Sequence, residues 1–177
     1  PMEPLTREGG IVSAALGLGK VVVDGEKVLS FSPENPNVVP GFSTLDQVLE
    51  NSQTHFYALN MADVCYDLKM GEDVTLMGLP VKEAQQDGTL DMIASSYDPN
   101  DNKLRDGTGG RGAKIITFAG VLKHDMLPFV DVIKELMDIG KRGMGCPVEM
   151  EYAVKFDEDN VPHFYVVQVR PLVTRKE

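Results

Sequence analysis

The stretch Cys146–Leu172, CPVEMEYAVKFDEDNVPHFYVVQVRPL, places charges where a buried strand should carry none. Val148, Met150, Val154, Val166, Val167 and Val169 are as apolar as a sheet core, yet Glu149, Glu151, Gln168 and Arg170 are threaded among them. Two runs of strand formers flank DEDN, and Asp and Asn both tolerate left-handed backbone. The segment therefore reads as an antiparallel hairpin with Asp159–Asn160 at its turn centre. That centre opposes Tyr165 to Val154, Gln168 to Glu151 and Arg170 to Glu149. Side chains two apart on a strand share a face, and so do directly opposed ones. Glu149, Glu151, Gln168 and Arg170 then gather on one face, with Val148, Met150, Tyr152, Val167 and Val169 on the other. As a solvated outer surface, such a face holds a Glu149–Arg170 pair of little energetic consequence. As a site, it combines carboxylates suited to Mg²⁺, an orienting amide and a guanidinium fork for phosphate.

Outward from the hairpin, composition limits the alternatives. The chain has 177 residues, 42% hydrophobic and 25% charged, enough for one domain with its own core. Net charge is −10, with 27 acidic against 17 basic residues, and the pI is about 4.7. That balance argues against a nucleic-acid surface but leaves nucleotides open, because a few placed Arg and Gly residues with a divalent cation suffice for phosphate. No apolar run is long enough to span a membrane, so no membrane partner is expected. Cys65 and Cys146 are the only cysteines, which supports neither a disulfide framework nor a zinc site and points to reduced thiols in the cytoplasm. The start at Pro1 suggests a processed end or a segment of a longer protein.

Upstream, GGIVSAALGLGKVVVDG reads as a strand, a glycine turn at Gly17–Gly19, and a second strand over Val21–Val23. STLDQVLENSQ opens a short amphipathic helix, with Ser43 or Thr44 as its cap. Strands are expected at 54–61, 73–78, 91–97 and 113–118, while 62–73 favours neither state. The most regular helix is LPFVDVIKELMDIGKRG. Phe129, Val130, Ile133, Leu136, Met137 and Gly140 form one stripe, Pro128 lies in the first turn, Lys141 and Arg142 suit the negative end of the dipole, and Gly143 closes it. The class is α+β, mostly antiparallel sheet with a few helices.

CPVEMEYAV followed by FYVVQVRPL resembles the closing hairpin of the nucleotide-binding domain in the phosphoenolpyruvate synthase and pyruvate phosphate dikinase family. AALGLGKVVVDG followed by SPENP resembles that family's glycine segment, and the two anchors span most of the chain in the expected order. The resemblance implies an ATP-grasp-like lobe, with residues 1–177 as a single domain fragment, the C-terminal portion of an ATP-grasp nucleotide-binding domain. It implies ATP as substrate and Mg²⁺ as cofactor. The family moves the β-phosphate of ATP to a histidine on a swivelling domain and then to pyruvate. By matching position, Glu151 looks like the metal-binding carboxylate, with Glu149 near the metal. Gln168 and Arg170 look like the residues that address the phosphates, and Gly17 and Gly19 match the glycine segment.

Two features depart from the family pattern. Lys20 stands where the family commonly has Glu, and none of His55, His124 and His163 lies in the Thr-Ser-His setting of the phosphohistidine. No catalytic residue is therefore expected on this chain, which by itself should not turn over. Its partners would be an upstream ATP-binding lobe, a phosphohistidine domain and a pyruvate-binding barrel. A non-catalytic nucleotide-binding or regulatory module, and a related phosphotransferase with a different acceptor, are the competing readings.

Other motifs read blandly. DGTGGRGAK could wrap a phosphate with successive amides and Arg111 as clamp, but it lacks a strand–loop–helix frame and reads as a surface hairpin tip. FDEDN reads as a solvated turn rather than a calcium loop, and TREGG as a frayed terminus. His124 and His163 read as surface or packing residues rather than bases. Met61, Met70, Met77, Met92, Met126 and Met137 read as core filler.

Overall fold

A computed structural model describes residues 9–62, 69, 71–88 and 90–172. The chain forms two compact units, Pro1–His124 and Asp125–Glu177. Both mix helix with antiparallel strands, as the α+β expectation requires. Among the described residues no helix is long and apolar enough to cross a membrane. Cys65, Met70 and Thr6–Glu8 of the TREGG motif lie outside the described residues, as does most of the ambivalent 62–73 stretch.

In the first unit, β1 (Val12–Ala14) pairs antiparallel with β2 (Leu29–Phe31), burying Val12, Ala14, Leu29 and Phe31. Between them the glycine segment turns into α1 (Lys20–Val23), a single helical turn. The expected strand over Val21–Val23 is therefore corrected. Only Val21 of the three valines is buried while Val23 is 83% exposed, so the run does not fill a sheet face. Tertiary burial of one valine outweighs β-branched propensity here.

Thr44 caps α2 (Leu45–Asn51), its Oγ1 accepting from the Gln47 amide at 3.3 Å. The following strands β3 (His55–Leu59) and β4 (Leu76–Pro80) pair antiparallel, with Glu72–Thr75 a 3₁₀ turn rather than the start of the strand. A further 3₁₀ segment, Val81–Asp87, leads to the short α3 (Leu90–Ile93). The strand expected from residue 91 begins only at β5 (Ala94–Asp98), because buried Leu90 anchors the preceding helical turn.

β5 is the middle of a three-stranded sheet, flanked by β6 (Lys103–Asp106) and β7 (Ala113–Ile116), both antiparallel to it. DGTGGRGAK is thus not a hairpin tip. The strands it joins lie on opposite sides of β5, so residues 107–112 must cross over that strand. Glycine makes the crossing possible. Gly112 has φ +98° and lies where a Cβ would collide with the Tyr97 carbonyl oxygen, while a Cβ on Gly110 would lie 2.8 Å from that of Ser96. The buried residues Ala94, Ile115, Ile116, Leu90, Val81 and Val121 build the core around this sheet, and α4 (Ala119–Leu122) is wholly buried.

In the second unit, α5 (Phe129–Met144) is the amphipathic helix read from the sequence, with Phe129 and Ile133 its buried residues. Its stop is Gly145 at φ +67°, whose amide donates to the Lys141 carbonyl. Gly143 lies inside the helix, so that expectation is corrected by one half-turn. α5 packs on β8 (Val148–Phe156): a Cβ on Gly140 would come within 3.0 Å of Val148 Cγ2 and 3.2 Å of Met150 Sδ, so the small residue lets helix and strand approach. Phe129 lies 5.9 Å from Tyr152 and 6.0 Å from Phe164, ring centre to ring centre. Of the methionines read as core filler, Met61 and Met126 are 83% and 55% exposed on connecting loops, and Met77 on β4 is exposed as well.

Candidate functional site

The hairpin pairs β8 with β9 (Pro162–Pro171) over nine residue pairs. Glu149 opposes Arg170, Met150 opposes Val169 and Glu151 opposes Gln168, as the sequence predicts. Beyond Glu151 the register slips. Tyr152 opposes Val166 and Val154 opposes Phe164, so Tyr165 faces Ala153 rather than Val154. Val167 is the additional residue of a β-bulge, 66% exposed, and is not on the apolar face where alternation put it.

The turn differs likewise. Residues 157–161 form a loop in which Asp157 Oδ1 accepts from the amides of Asp159 (3.0 Å) and Val161 (2.8 Å), and Asn160 takes the left-handed φ of +60°. His163 Nε2 lies 2.9 Å from Asp157 Oδ2. The hydrogen bond from His163, with the two backbone amides, holds the Asp157 carboxyl below the usual carboxylate range. FDEDN is the solvated turn expected of it.

Glu149, Glu151, Gln168 and Arg170 therefore share one face, and all are exposed. Within the set the chemistry divides. Arg170 Nη2 donates to Glu149 Oε1 at 2.7 Å. This hydrogen bond depresses the Glu149 carboxyl and raises the Arg170 guanidinium, to which the charges of Glu149 and Glu151 add. The side chains of Glu151 and Gln168 have no hydrogen-bond partner among the described residues. Glu151 is thus the carboxylate available to a cation, whereas Glu149 must share its charge with Arg170. The two residues are set ~7 Å apart along the strand backbone.

Among the described residues no group of three or more His, Cys, Asp and Glu side chains could hold a metal. The donor set fits a Mg²⁺ that arrives on phosphate and takes one or two protein carboxylates, not a cation caged wholly by protein. A shallow groove of about 560 Å³ beside the end of α5 is lined by Asp138, Lys141, Arg142, Gly145, Cys146 and Pro147, and by none of the four hairpin residues.

The glycine segment lies in the first unit. Gly17 has φ +89°, and a Cβ on it would lie 2.6 Å from the Tyr57 carbonyl oxygen, so glycine is required by the approach to β3. Gly19 has no such constraint, with nothing within 4 Å of an added Cβ. The Leu18 amide donates to Tyr57 O at 3.0 Å, and Lys20 pairs with Asp24 at 3.1 Å one helical turn later. The segment is held by a residue the sequence did not flag. Gln53, 5% exposed, accepts from the Leu16 amide and donates to the Leu16 carbonyl, both at 2.9 Å. Its own carbonyl accepts from Ile116, joining the segment to β7. Nothing in NSQTH distinguishes this amide from its polar neighbours.

A second polar cluster surrounds Asp106. His124 Nε2 lies 3.0 Å and Lys123 Nζ 3.7 Å from its Oδ2, while buried Ser95 donates to Oδ1 at 3.2 Å. Partial burial raises this carboxyl, but the His124 hydrogen bond, Lys123 and Ser95 together outweigh it and lower it. Asp106 occupies the centre, where a nucleophilic triad would need the histidine, so the cluster is a structural clasp. No family model, no curated protein and no solved structure matches the chain.

Proposed function

We propose that the chain is the ATP- and Mg²⁺-binding lobe of a phosphotransferase of the phosphoenolpyruvate synthase and pyruvate phosphate dikinase type, with an ATP-grasp fold. The observation that carries this reading is the register, which sets Glu151 opposite Gln168 and Glu149 opposite Arg170 on one accessible face. In the parent enzyme Glu151, assisted by Glu149, holds Mg²⁺ against the phosphates. Gln168 orients a phosphate oxygen, and Arg170 offsets charge that develops during transfer. Gly17 and Gly19 match the glycine segment of that family. The histidine and the pyruvate site are supplied by the remaining domains, and the lobe by itself does not turn over.

Glu151→Gln in the full-length parent protein tests this. It removes the charge but not the shape of an exposed side chain, so the fold is retained while ATP-dependent histidine phosphorylation falls about a hundredfold or more. Unchanged labelling removes the assignment. One observation favours a second reading, a non-catalytic nucleotide-binding or regulatory module: Glu149 and Arg170 are paired with one another at 2.7 Å. Calorimetry of the complete domain with Mg-ATP separates that module from bare architecture, because an architectural surface gives no metal-dependent heat.

A further inference from the structure

The crossing loop 107–112 has a different chemistry from the hairpin and lies in the other unit. Its first amides are occupied: Gly107 donates to Ala94 O, and Thr108, through both its amide and its hydroxyl, to Asp91 Oδ1. The next four amides, Gly109 to Gly112, have no hydrogen-bond partner among the described residues. Beneath the loop, Lys114 Nζ donates to Gly110 O at 2.6 Å and to Ser96 Oγ at 2.8 Å.

That lysine bond orients the peptide. In a trans peptide the carbonyl and the following N–H point in opposite directions, and the described chain has no cis bond. Drawing the Gly110 carbonyl in towards Lys114 therefore turns the Arg111 N–H outward. The side chain of Arg111 is borne at the same point and is exposed, and Arg105 runs alongside, its Cδ 3.8 Å from the Cβ position of Gly110. Neither guanidinium makes an ion pair among the described residues. In a chain of net charge −10, two exposed arginines without an ion pair, an outward amide and a pinned lysine gather positive charge at this loop.

We propose that this loop binds a phosphoryl oxyanion, with the Arg111 amide and the guanidiniums of Arg111 and Arg105 as donors and Lys114 as the residue that presets the loop. The site is independent of the Mg-ATP reading of the hairpin. Its ligand is a tetrahedral phosphate carried either as the free ion or as a phosphomonoester. The test is a titration of the ¹⁵N-labelled chain with inorganic phosphate and, separately, with adenosine monophosphate, without Mg²⁺ and at constant ionic strength in chloride.

Saturable shifts of the 109–112 amides are expected with at least one probe, and the tighter of the two identifies the source. Arg111→Gln, an exposed change that spares the fold, weakens binding about tenfold or more. Glu151→Gln leaves the response intact, which separates this site from the hairpin. Absent saturation, identical shifts from chloride alone, or unaltered affinity in Arg111→Gln would each overturn the proposal.

Discussion

Replacing Gln53 by Leu probes how the glycine segment is held. The substitution keeps most of the volume but deletes both 2.9 Å hydrogen bonds to Leu16, leaving a backbone N–H and C=O without their partner. Each bond contributes ~1 kcal/mol net, and each stranded buried group costs ~1–3 kcal/mol. Leu16 itself is only half-buried, so water recovers part of the loss and the lower end applies. The expected destabilisation is about 2–3 kcal/mol, a fall in Tm of about 10 °C for a unit of this size. Urea unfolding followed by circular dichroism should show a lower midpoint with the m-value unchanged. Gln53→Glu sharpens the comparison. The ionised carboxylate keeps an acceptor for the Leu16 amide but cannot donate to the Leu16 carbonyl, so its deficit should shrink as pH falls and the acid regains a donor. A loss below ~0.5 kcal/mol in Gln53→Leu would refute the view that this amide anchors the segment.

Gly112→Ala should cost about 3 kcal/mol or more, since a side chain at φ +98° also meets the Tyr97 carbonyl, whereas Gly109→Ala, in open space, should stay within ~0.5 kcal/mol; equal midpoints in thermal unfolding would contradict the crossing geometry. The hairpin turn should weaken in acid. Asp157 is depressed in the folded state, so its contribution is present above the unfolded carboxylate pKa and disappears as pH falls through the lower folded one. Asp157→Asn should flatten that acid limb, read from the His163 and Asn160 signals in NMR spectra between about pH 5 and pH 2. A limb that persists in the variant would assign it to other carboxylates, such as Asp106, depressed in the same sense.

Local physics wrote much of this molecule into the sequence. The α5 stripe, the Thr44 cap, the paired strands 148–156 and 162–171 and the convergence of Glu149, Glu151, Gln168 and Arg170 follow from period, capping chemistry and turn residues acting over a few positions. The bulge at Val167 was not written there, since regular alternation put that residue on the apolar face. Only the tertiary structure decided the rest. Val21–Val23 became a helical turn that buries one valine and leaves the other two exposed. The loop 107–112 became a crossing because β5 runs between the strands it joins, and Gln53 became an anchor because Leu16 folds back against it from 37 residues away. Such pairings depend on which distant segments meet, and no local pattern of side chains encodes that meeting.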